Sequence, residues 1–572
     1  MATAAVLCLL SVPAALAAPV YNAQDLVVDL GYGIYQGAHN ETTGLNAWKG
    51  IRYAAAPIGD LRWRAPSVPA VSRAVVNATT YGTRCPQAGP FNLFGQLDSP
   101  SGDEDCLFLN VWAPAVEEGK NLPVLVWIHG GGYGGGSGDL DMSHIVTAND
   151  NSFVAVTLQY RLGAFGFLSS AEVEKNGVVN AGILDLAFAL QWVQDHISRF
   201  GGDVSRVTIT GESAGAGATM LLGTAKNGTL GSSLFRGIIS ASPYLPPQYD
   251  FDAPIPTERY ESFASHAGCG NSTDTLACLR SKDTVTLQSA NIDVNAANFY
   301  GTWAFLPVTE PETGFVTTLP SESLFAKRVN GEHLLVGNNA NEGPLFVPPI
   351  NSTDSLRTWL QGAYPYLEST DIDAILAVYP ESNVTDTALY ATTGLGPVTA
   401  LDVSQYGAGV QQRAYNLYAE ATFVCPAYWM NSAYTRNNRT SHHYQYSVPA
   451  ALHGDDPNAY FGPAQPNQPD IFTTVFRQIW GGFVRAAKPA TAQGISNLTW
   501  PAWADDGESR MINLNTTGGV PYQSPQMNGV NVTEFMMPGI QNDFSVVDAL
   551  SWEGGRGARC DFWKTLASKM SV

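Results

Sequence analysis

The sequence predicts an α/β fold in which helices flank a mostly parallel central sheet that carries large helical and loop insertions. Residues 123–128 are a continuous apolar run, which is typical of a strand buried on both faces of a parallel sheet, and residues 153–159 are interpreted as another buried strand. A helical pattern of apolar residues at 183–197 separates this second strand from a short β-branched strand at 206–210. This alternation of strands and helices is what βαβ units require.

The amino-terminal segment, residues 1–17, is expected to be a secretory signal peptide. It carries no charged side chain and ends in Ala-Leu-Ala, the small-residue pattern at which such segments are cleaved. The remaining residues, 18–572, are expected to form one domain, because α/β enzymes of this size can carry their extra length as insertions.

Cysteines and glycosylation sequences also indicate a secreted, extracellular glycoprotein. Six cysteines follow the signal segment, and an even number suits disulfides: Cys85, Cys106, Cys269, Cys278, Cys425 and Cys560. They form no C-x-x-C or Cys/His cluster, so no structural metal site is expected. The chain contains ten N-x-S/T sequences, the acceptor pattern of secreted proteins.

The composition narrows the class of partner. The net charge is −20 and the pI near 4.8, and such a field repels nucleic acid and anionic membranes. No apolar stretch long enough for stable membrane insertion follows the signal segment. We therefore expect a protein that acts on a small molecule, without nucleic acid as a partner.

The other elements follow from local patterns. Residues 26–69 are short strands broken by Gly and Pro, and residues 107–112 alternate as a strand after a Gly/Pro/Ser-rich loop at 86–105. Residues 244–440 change to a looser pattern of helices and loops, which we interpret as an insertion over the sheet. Two short strands, residues 334–337 and 444–448, lie in the later half.

The strand at 206–210 leads directly into the pentapeptide Gly-Glu-Ser-Ala-Gly, residues 211–215. The pattern G-x-S-x-G alone is a weak signal, because an ordinary Gly/Ser turn also fits it. Here a strand precedes it and a small-residue helix at 216–222 follows, which is the order of the α/β-hydrolase fold. In such a strand-to-helix turn Ser213 stands clear of the backbone and is the candidate nucleophile.

Ser213 needs a base, because a serine hydroxyl is a poor nucleophile until a neighbour takes its proton. In α/β-hydrolases the chain order is Ser, acid, His. His442 and His443 begin a strand, whereas His453 lies in the loop beyond it, and we predict His453 as the base. An ordinary histidine would give an acidic limb of activity with a midpoint around pH 6 to 7.

The acid is expected on the loop after the preceding strand. Glu342 lies there, whereas Glu332 lies before the strand, so we predict Glu342 and treat Asp455 and Asp456 as alternatives. The sequence His-Gly-Gly-Gly-Tyr, residues 129–133, offers unobstructed backbone N–H groups after a buried strand. The predicted oxyanion donors are the amides of Gly131, Gly132 and Ala214. This chemistry needs no metal and no cofactor.

Several motifs together resemble the type-B carboxylesterase family, which includes fungal lipases and cholinesterases. They occur in the family's order: EDCLFLNVW (104–112), HGGGY (129–133), YRLGAFGFL (160–168), FGGDVSRVTITGESAG (200–215), GNNANEG (337–343) and HGDD (453–456). The resemblance implies the same triad and oxyanion donors. It also implies the disulfides Cys85–Cys106 and Cys269–Cys278, which leaves Cys425 with Cys560.

The resemblance implies a secreted carboxylic ester hydrolase, and the loop at 86–105 bears on its substrate. This loop lacks the tryptophan with which cholinesterases hold a quaternary ammonium. Its apolar residues Phe91, Leu93, Phe94 and Leu97 are interrupted by Gly and Pro, which disfavours a helical lipase flap. We expect an esterase for soluble short- to medium-chain esters. The alternatives are an interfacial lipase or sterol esterase and, from another class, a non-catalytic binding protein.

Four aromatic residues in the predicted insertion are candidates for the acyl pocket: Phe299, Tyr300, Trp303 and Phe305. Aromatic side chains are at least as often part of a core, so that interpretation stays open.

Overall fold

The computed structural model describes residues 26–90, 99–115, 120–310, 314–384, 399–489, 498, 500–504, 509–526 and 529–572. The strands are Val27–Asp29 (β1), Ile34–Gln36 (β2), Ala38–Asn40 (β3), Leu45–Arg52 (β4), Val75–Asn77 (β5), Phe108–Pro114 (β6), Leu122–Ile128 (β7), Val154–Leu158 (β8), Gly202–Glu212 (β9), Gly237–Ala241 (β10), His333–Asn339 (β11), Val403–Ser404 (β12), Gly407–Ala408 (β13), Thr440–Tyr446 (β14), Arg510–Pro525 (β15) and Asn531–Asp548 (β16).

The α-helices are Ser143–Thr147 (α1), Gly163–Phe167 (α2), Ala171–Asn176 (α3), Ala181–His196 (α4), Ala214–Gly228 (α5), Pro254–His266 (α6), Thr275–Ser281 (α7), Thr284–Ala296 (α8), Pro320–Phe325 (α9), Thr353–Ala363 (α10), Ser369–Val378 (α11), Gly409–Ala419 (α12), Cys425–Ala433 (α13), Pro457–Phe461 (α14), Asp470–Ala486 (α15) and Trp552–Leu566 (α16). Two 3₁₀ turns, Gly59–Leu61 and Ile197–Phe200, and a π-helical turn, Glu420–Val424, join them.

The central sheet has eleven strands in the order β16-β15-β14-β11-β10-β9-β7-β8-β6-β4-β3 among the described residues. The strands from β15 to β8 run parallel to one another, and the pairs at both edges are antiparallel. The prediction of an α/β fold with a mostly parallel sheet is therefore confirmed. The carboxyl ends of β7, β9, β10, β11 and β14 meet at one edge of the sheet, where functional loops of such folds lie.

Strand β7 shows why a central strand has a continuous apolar sequence. All of its residues are buried, but they face two different sides. Val124, Val126 and Ile128 belong to one apolar cluster, whereas Leu125 and Trp127 belong to the other. Each face of the sheet therefore has its own core, formed with the helices that cover it.

The predicted insertion at 244–440 contains the helices α6 to α13, as the loose helical pattern indicated. It also contributes β11, which pairs with β10 on one side and β14 on the other. The segment is thus part of the central sheet as well as a cover over it.

Three disulfides occur in the structure: Cys85–Cys106, Cys269–Cys278 and Cys425–Cys560, with Cα–Cα distances of 5.0, 5.8 and 5.0 Å. None of the helices in the described ranges is both long and apolar enough to cross a membrane. The expected signal segment, residues 1–17, lies outside the described residues.

Candidate active site

Ser213 occupies a sharp turn between the end of β9 and the start of α5. Its backbone has φ 58° and ψ −125°, a conformation that non-glycine residues seldom adopt. A Cβ at Gly215 would lie 2.1 Å from the carbonyl oxygen of Ile128, and a Cβ at Gly211 would lie 2.3 Å from the carbonyl carbon of Gly215. Only glycine fits at either position, so the pentapeptide is required by close packing.

The three residues predicted as the triad are brought together at the carboxyl edge of the sheet. Ser213 Oγ lies 2.8 Å from Nε2 of His453, and Nδ1 of His453 lies 2.6 Å from Oε2 of Glu342. Glu342 is fully buried and Ser213 is 9% exposed. A hydrogen-bonded series of this geometry is able to activate a serine hydroxyl.

Glu342 is held rigidly by two further donors. Its Oε1 accepts hydrogen bonds of 2.6 Å from the Ser242 hydroxyl and 2.6 Å from the Asn339 N–H. Asn341, one residue before the acid, donates through its backbone and its side chain to the carbonyls of Ala451 and Ala450. The loop of the acid is therefore fastened to the loop that carries His453.

The competing histidines have other partners. His443 is fully buried in β14, where its ring nitrogens lie 2.6 Å from Asn431 Nδ2 and 3.0 Å from Asn338 Oδ1. His442 is also buried in this strand, and burial lowers the pKa of both rings. Neither ring makes a hydrogen bond with Ser213.

The competing acids are also engaged elsewhere. Glu332 pairs with Arg236 at 2.7 Å, before β11 rather than after it. Asp455 accepts the backbone N–H of Leu452 at 2.7 Å, and Asp456 accepts a 3.2 Å hydrogen bond from Asn339. Burial raises the pKa of each of these two aspartates to about 7.

The loop at residues 129–136 lies directly against the serine. A Cβ at Gly130 would be 2.9 Å from Cβ of Ser213, so the chain approaches the turn as closely as glycine permits. Gly131 and Gly132 have φ of 100° and 64°, which turn this backbone around the site. Within the described residues, no acceptor takes a hydrogen bond from the N–H of Gly131, Gly132 or Ala214. These amides are free to donate to a substrate oxygen.

The carboxyl group of Glu212 lies beside the imidazole of His453. This contact was not predicted from the sequence. Glu212 Oε1 lies 3.3 Å from His453 Nε2 and makes no hydrogen bond with the described residues. Burial raises the pKa of Glu212 to about 8. Burial lowers the pKa of His453, but the carboxylates of Glu342 and Glu212 outweigh it and raise the pKa to about 9. The base is thus more basic than the ordinary histidine expected from sequence.

Aromatic rings fix the imidazole of His453 from the side. The ring centroid of Phe423 lies 4.3 Å from that of His453, and the Phe346 ring lies 5.0 Å away. Phe423 belongs to the π-helical turn Glu420–Val424, an irregular element that is frequent at functional sites. No sequence pattern indicated this contact, because a π turn has no distinct periodicity of its own.

The predicted acyl-pocket aromatics separate into two groups. Phe299 and Trp303 line a cleft next to the oxyanion loop, and Trp303 packs so closely that a Cβ at Gly132 would lie 2.0 Å from its indole. Phe305 lines an adjoining, smaller cleft and packs on Phe263, whereas Tyr300 is half-buried. The apolar residues predicted as a poor flap, at 91–97, lie outside the described residues.

The described side chains provide no group of three or more His, Cys, Asp or Glu residues placed to hold a metal ion.

The carboxylesterase family model matches residues 24–528. The chain belongs to the carboxylesterase family. Among curated relatives, lipase 4 of Diutina rugosa is 32% identical over 62% of this chain and 71% of its own length. The para-nitrobenzyl esterase of Bacillus subtilis is 33% identical over the same shares of the two chains. The crystal structure of EstA from Aspergillus niger covers 96% of this chain and 99% of its own, with a TM-score of 0.77 and 28% identity.

Membership of the carboxylesterase family confirms two predictions. The fold is that of the α/β-hydrolase carboxylesterases, and the chain is a carboxylic ester hydrolase. Glu212 and Phe423 also contact His453, although neither was among the site residues predicted from the sequence. Glu212 had a signal, since it stands inside the pentapeptide, but the sequence did not show where its side chain points.

Proposed function

We propose that this carboxylesterase cleaves its ester through a covalent acyl-enzyme formed on Ser213. The observation that supports this most is the hydrogen-bonded series from Ser213 Oγ through His453 to Glu342, built on a turn that exposes the hydroxyl. Ser213 Oγ attacks the ester carbonyl carbon while its proton moves to His453 Nε2. Glu342 orients the ring and stabilises the imidazolium that results.

The negative charge that develops on the carbonyl oxygen is assigned to the N–H groups of Gly131, Gly132 and Ala214. When the tetrahedral intermediate collapses, His453 gives its proton to the leaving alkoxide and the alcohol departs. Water then attacks the acyl-enzyme, His453 takes the proton from this water, and the carboxylic acid leaves with Ser213 restored.

We propose soluble esters with short to medium acyl chains as substrates. The amino-terminal end of the loop at 86–105 is fastened to the oxyanion loop, since Ala88 N–H donates to Gly134 O and Gln87 exchanges hydrogen bonds with the backbone of Gly136. The apolar residues of this loop are few and interrupted by Gly and Pro. An interfacial lipase is the second candidate, because a relative is named as a lipase.

A serine-directed phosphonate probe tests the covalent step. We expect labelling of the wild-type protein at Ser213, loss of labelling in Ser213→Ala, and full labelling in the control Ser233→Ala, which changes an exposed serine. Labelling that persists in Ser213→Ala would assign the nucleophile elsewhere. A folded wild-type protein that takes no label would favour the non-catalytic binding role.

The cellular setting and the domain organisation are part of the proposal. Three disulfides, the ten N-x-S/T sequences and the composition of residues 1–17 support secretion as a glycoprotein. The continuous central sheet supports one domain over residues 18–572. Mass spectrometry of the protein from culture medium, before and after glycosidase treatment, tests secretion and glycosylation together.

A further inference from the structure

A cleft next to the candidate active site contains an arginine that has no acidic partner in the part of the chain that the structure describes. Arg259, on α6, lines this cleft together with Tyr249, Phe299, Trp303 and Tyr364. Its side chain makes one long hydrogen bond, 3.4 Å from Nη2 to Oδ1 of Asn298. No ion pair among the described residues includes Arg259. A cation therefore stands in a largely aromatic cleft without a counter-charge.

The cleft shares a wall with the catalytic centre. Trp303 packs against Gly132 of the oxyanion loop, as the 2.0 Å approach of a Cβ at Gly132 demonstrates. Tyr244, whose N–H donates to the carbonyl of Ser213 at 3.2 Å, has its ring 5.9 Å from that of Trp303. Both aromatic rings also line the cleft. A molecule held there lies next to the oxyanion loop and the backbone of Ser213.

The neighbouring groups do not neutralise the guanidinium. Tyr244 and Tyr249 interact with it electrostatically, but burial raises the pKa of Tyr249 to about 12 and that of Tyr244 further, so both are uncharged at neutral pH. Glu258 is exposed and forms no ion pair with Arg259. Burial without a partner is unfavourable for a charge and lowers the pKa of Arg259. A structural role would be served better by a neutral side chain.

We propose that Arg259 binds the carboxylate of an organic acid whose apolar body packs against the aromatic walls of this cleft. A guanidinium offers two parallel N–H donors that match a carboxylate, and the aromatic rings favour an apolar or aromatic body. The carboxylate has two possible sources. It is either the far end of the acyl group of a half-ester substrate or a separate carboxylic acid, such as the product of hydrolysis.

The inference rests on the proposed ester hydrolysis. A pair of matched substrates tests the role of Arg259 separately from ester hydrolysis itself. p-Nitrophenyl hexanoate and the mono-p-nitrophenyl ester of adipic acid differ by one terminal carboxylate. Each is assayed with the wild-type protein, Arg259→Gln, Arg259→Lys and the control Arg236→Gln, which removes an exposed charge at the start of β10. Inhibition by free hexanoate is measured with the same four proteins.

If the half-ester is the source, Arg259→Gln lowers kcat/KM for the adipate ester by roughly 10- to 100-fold and leaves the hexanoate ester within about twofold. If a separate acid is the source, Arg259→Gln weakens inhibition by hexanoate by a similar factor and leaves both esters unchanged. Arg259→Lys, which keeps the charge, retains part of the effect, and Arg236→Gln has none.

Two results would overturn the inference. One is that Arg259→Gln changes neither the ratio of the two esters nor the inhibition by hexanoate. The other is an equal loss of kcat/KM for both esters in an Arg259→Gln protein with unchanged thermal stability. That result would mean that Arg259 maintains the shape of the site and does not bind a carboxylate. Failure of the proposed function looks different, because the wild-type protein would then hydrolyse neither ester.

Discussion

Glu212 Oε1 lies 3.3 Å from Nε2 of His453, the same nitrogen that lies 2.8 Å from the hydroxyl of Ser213. Two carboxyl groups therefore lie against one imidazole, Glu342 at Nδ1 and Glu212 at Nε2. Because a negative charge beside the ring favours imidazolium, these groups raise the pKa of His453 above that of an ordinary histidine. We therefore expect the acidic limb of activity at a higher pH than the range of about 6 to 7 that an ordinary histidine would give.

We expect the acidic limb of kcat/KM to have its midpoint above pH 6.5. The pKa of His453 is raised, activity requires the neutral ring, and activity therefore rises as pH increases through that pKa. Glu212→Gln removes one of the charges that hold the proton, so its midpoint falls by about one pH unit. The measurement is a pH profile of kcat/KM with a soluble ester. Glu332→Gln, an exposed acid paired with Arg236, serves as the control for net charge.

A wild-type midpoint at or below pH 6.5 would contradict this interpretation, as would a midpoint in Glu212→Gln that equals the wild-type value. In either case the Glu212 carboxylate would have no influence on the base.

Glu342→Gln is expected to lower kcat by roughly 10⁴-fold while the protein still folds. An amide neither stabilises the imidazolium nor enforces the tautomer with its proton on Nδ1, although its oxygen still accepts from Ser242 and Asn339. The comparison is with Asp455→Asn, whose side-chain oxygen still accepts from Leu452 N–H, and whose kcat should stay within about tenfold. Steady-state kinetics and a thermal melt of each variant are the measurements. A near-normal kcat in Glu342→Gln, together with loss of kcat in Asp455→Asn or Asp456→Asn, would mean that one of these aspartates, and not Glu342, is the acid of the triad.

Gly132→Ala is expected to cost about 10²- to 10³-fold in kcat, the usual effect of losing an oxyanion donor. Gly132 has φ 64°, and a Cβ there meets the Trp303 indole at 2.0 Å, so the loop has to shift away from the substrate oxygen. Gly135→Ala is the matched control in the same loop, since a Cβ at Gly135 has its nearest neighbour, Gln87 Oε1, at 3.5 Å. Equal activity in the two variants would contradict the assignment of the Gly132 N–H as an oxyanion donor.

The sequence predicted those parts of the site that depend on local sterics and chain order. The glycines at 211 and 215 are required by contacts of 2.1–2.4 Å, so their spacing carries structural information directly. The strands β9, β10, β11 and β14 follow one another in the same order along the chain and across the parallel sheet. Loops that follow these strands converge on one edge, which made Glu342 and His453 predictable.

Features that depend on tertiary contacts were not predictable. The π turn that carries Phe423 is stabilised by Glu420, which pairs with Arg559 from α16, more than a hundred residues later. The long antiparallel pair β15–β16 was missed because its outer half is polar and partly exposed, with no buried face to impose a period of two. In both cases the determining partner is distant in sequence.

Arg559→Met is expected to lower the free energy of unfolding by about 3–5 kcal/mol, because it leaves the buried Glu420 without its main counter-charge. Arg559 donates two 2.7 Å hydrogen bonds to this carboxylate, and both side chains are almost fully buried. The control is Arg73→Met, which breaks an exposed pair with Asp29 and should leave the free energy of unfolding almost unchanged. Denaturant unfolding of the three proteins gives both values. A loss below about 1 kcal/mol for Arg559→Met would mean that Arg556 suffices to neutralise Glu420.

The last prediction separates an esterase from an interfacial lipase. A lipase flap opens when an apolar surface is available, so its rate rises steeply once substrate droplets form. In this chain Gln87 and Ala88 are hydrogen-bonded to the oxyanion loop, and Gln288 donates to the carbonyl of Gly102 at the other end of the same loop. Both ends of the segment are thus fixed, and its sequence is a poor amphipathic helix.

We expect hydrolysis of tributyrin to saturate below the solubility limit of the substrate, with no increase when the emulsion appears. The measurement is a rate curve across that limit at constant pH, with lipase 4 of Diutina rugosa assayed in parallel. A steep increase at the onset of the emulsion would contradict the esterase assignment and place the protein with the lipases.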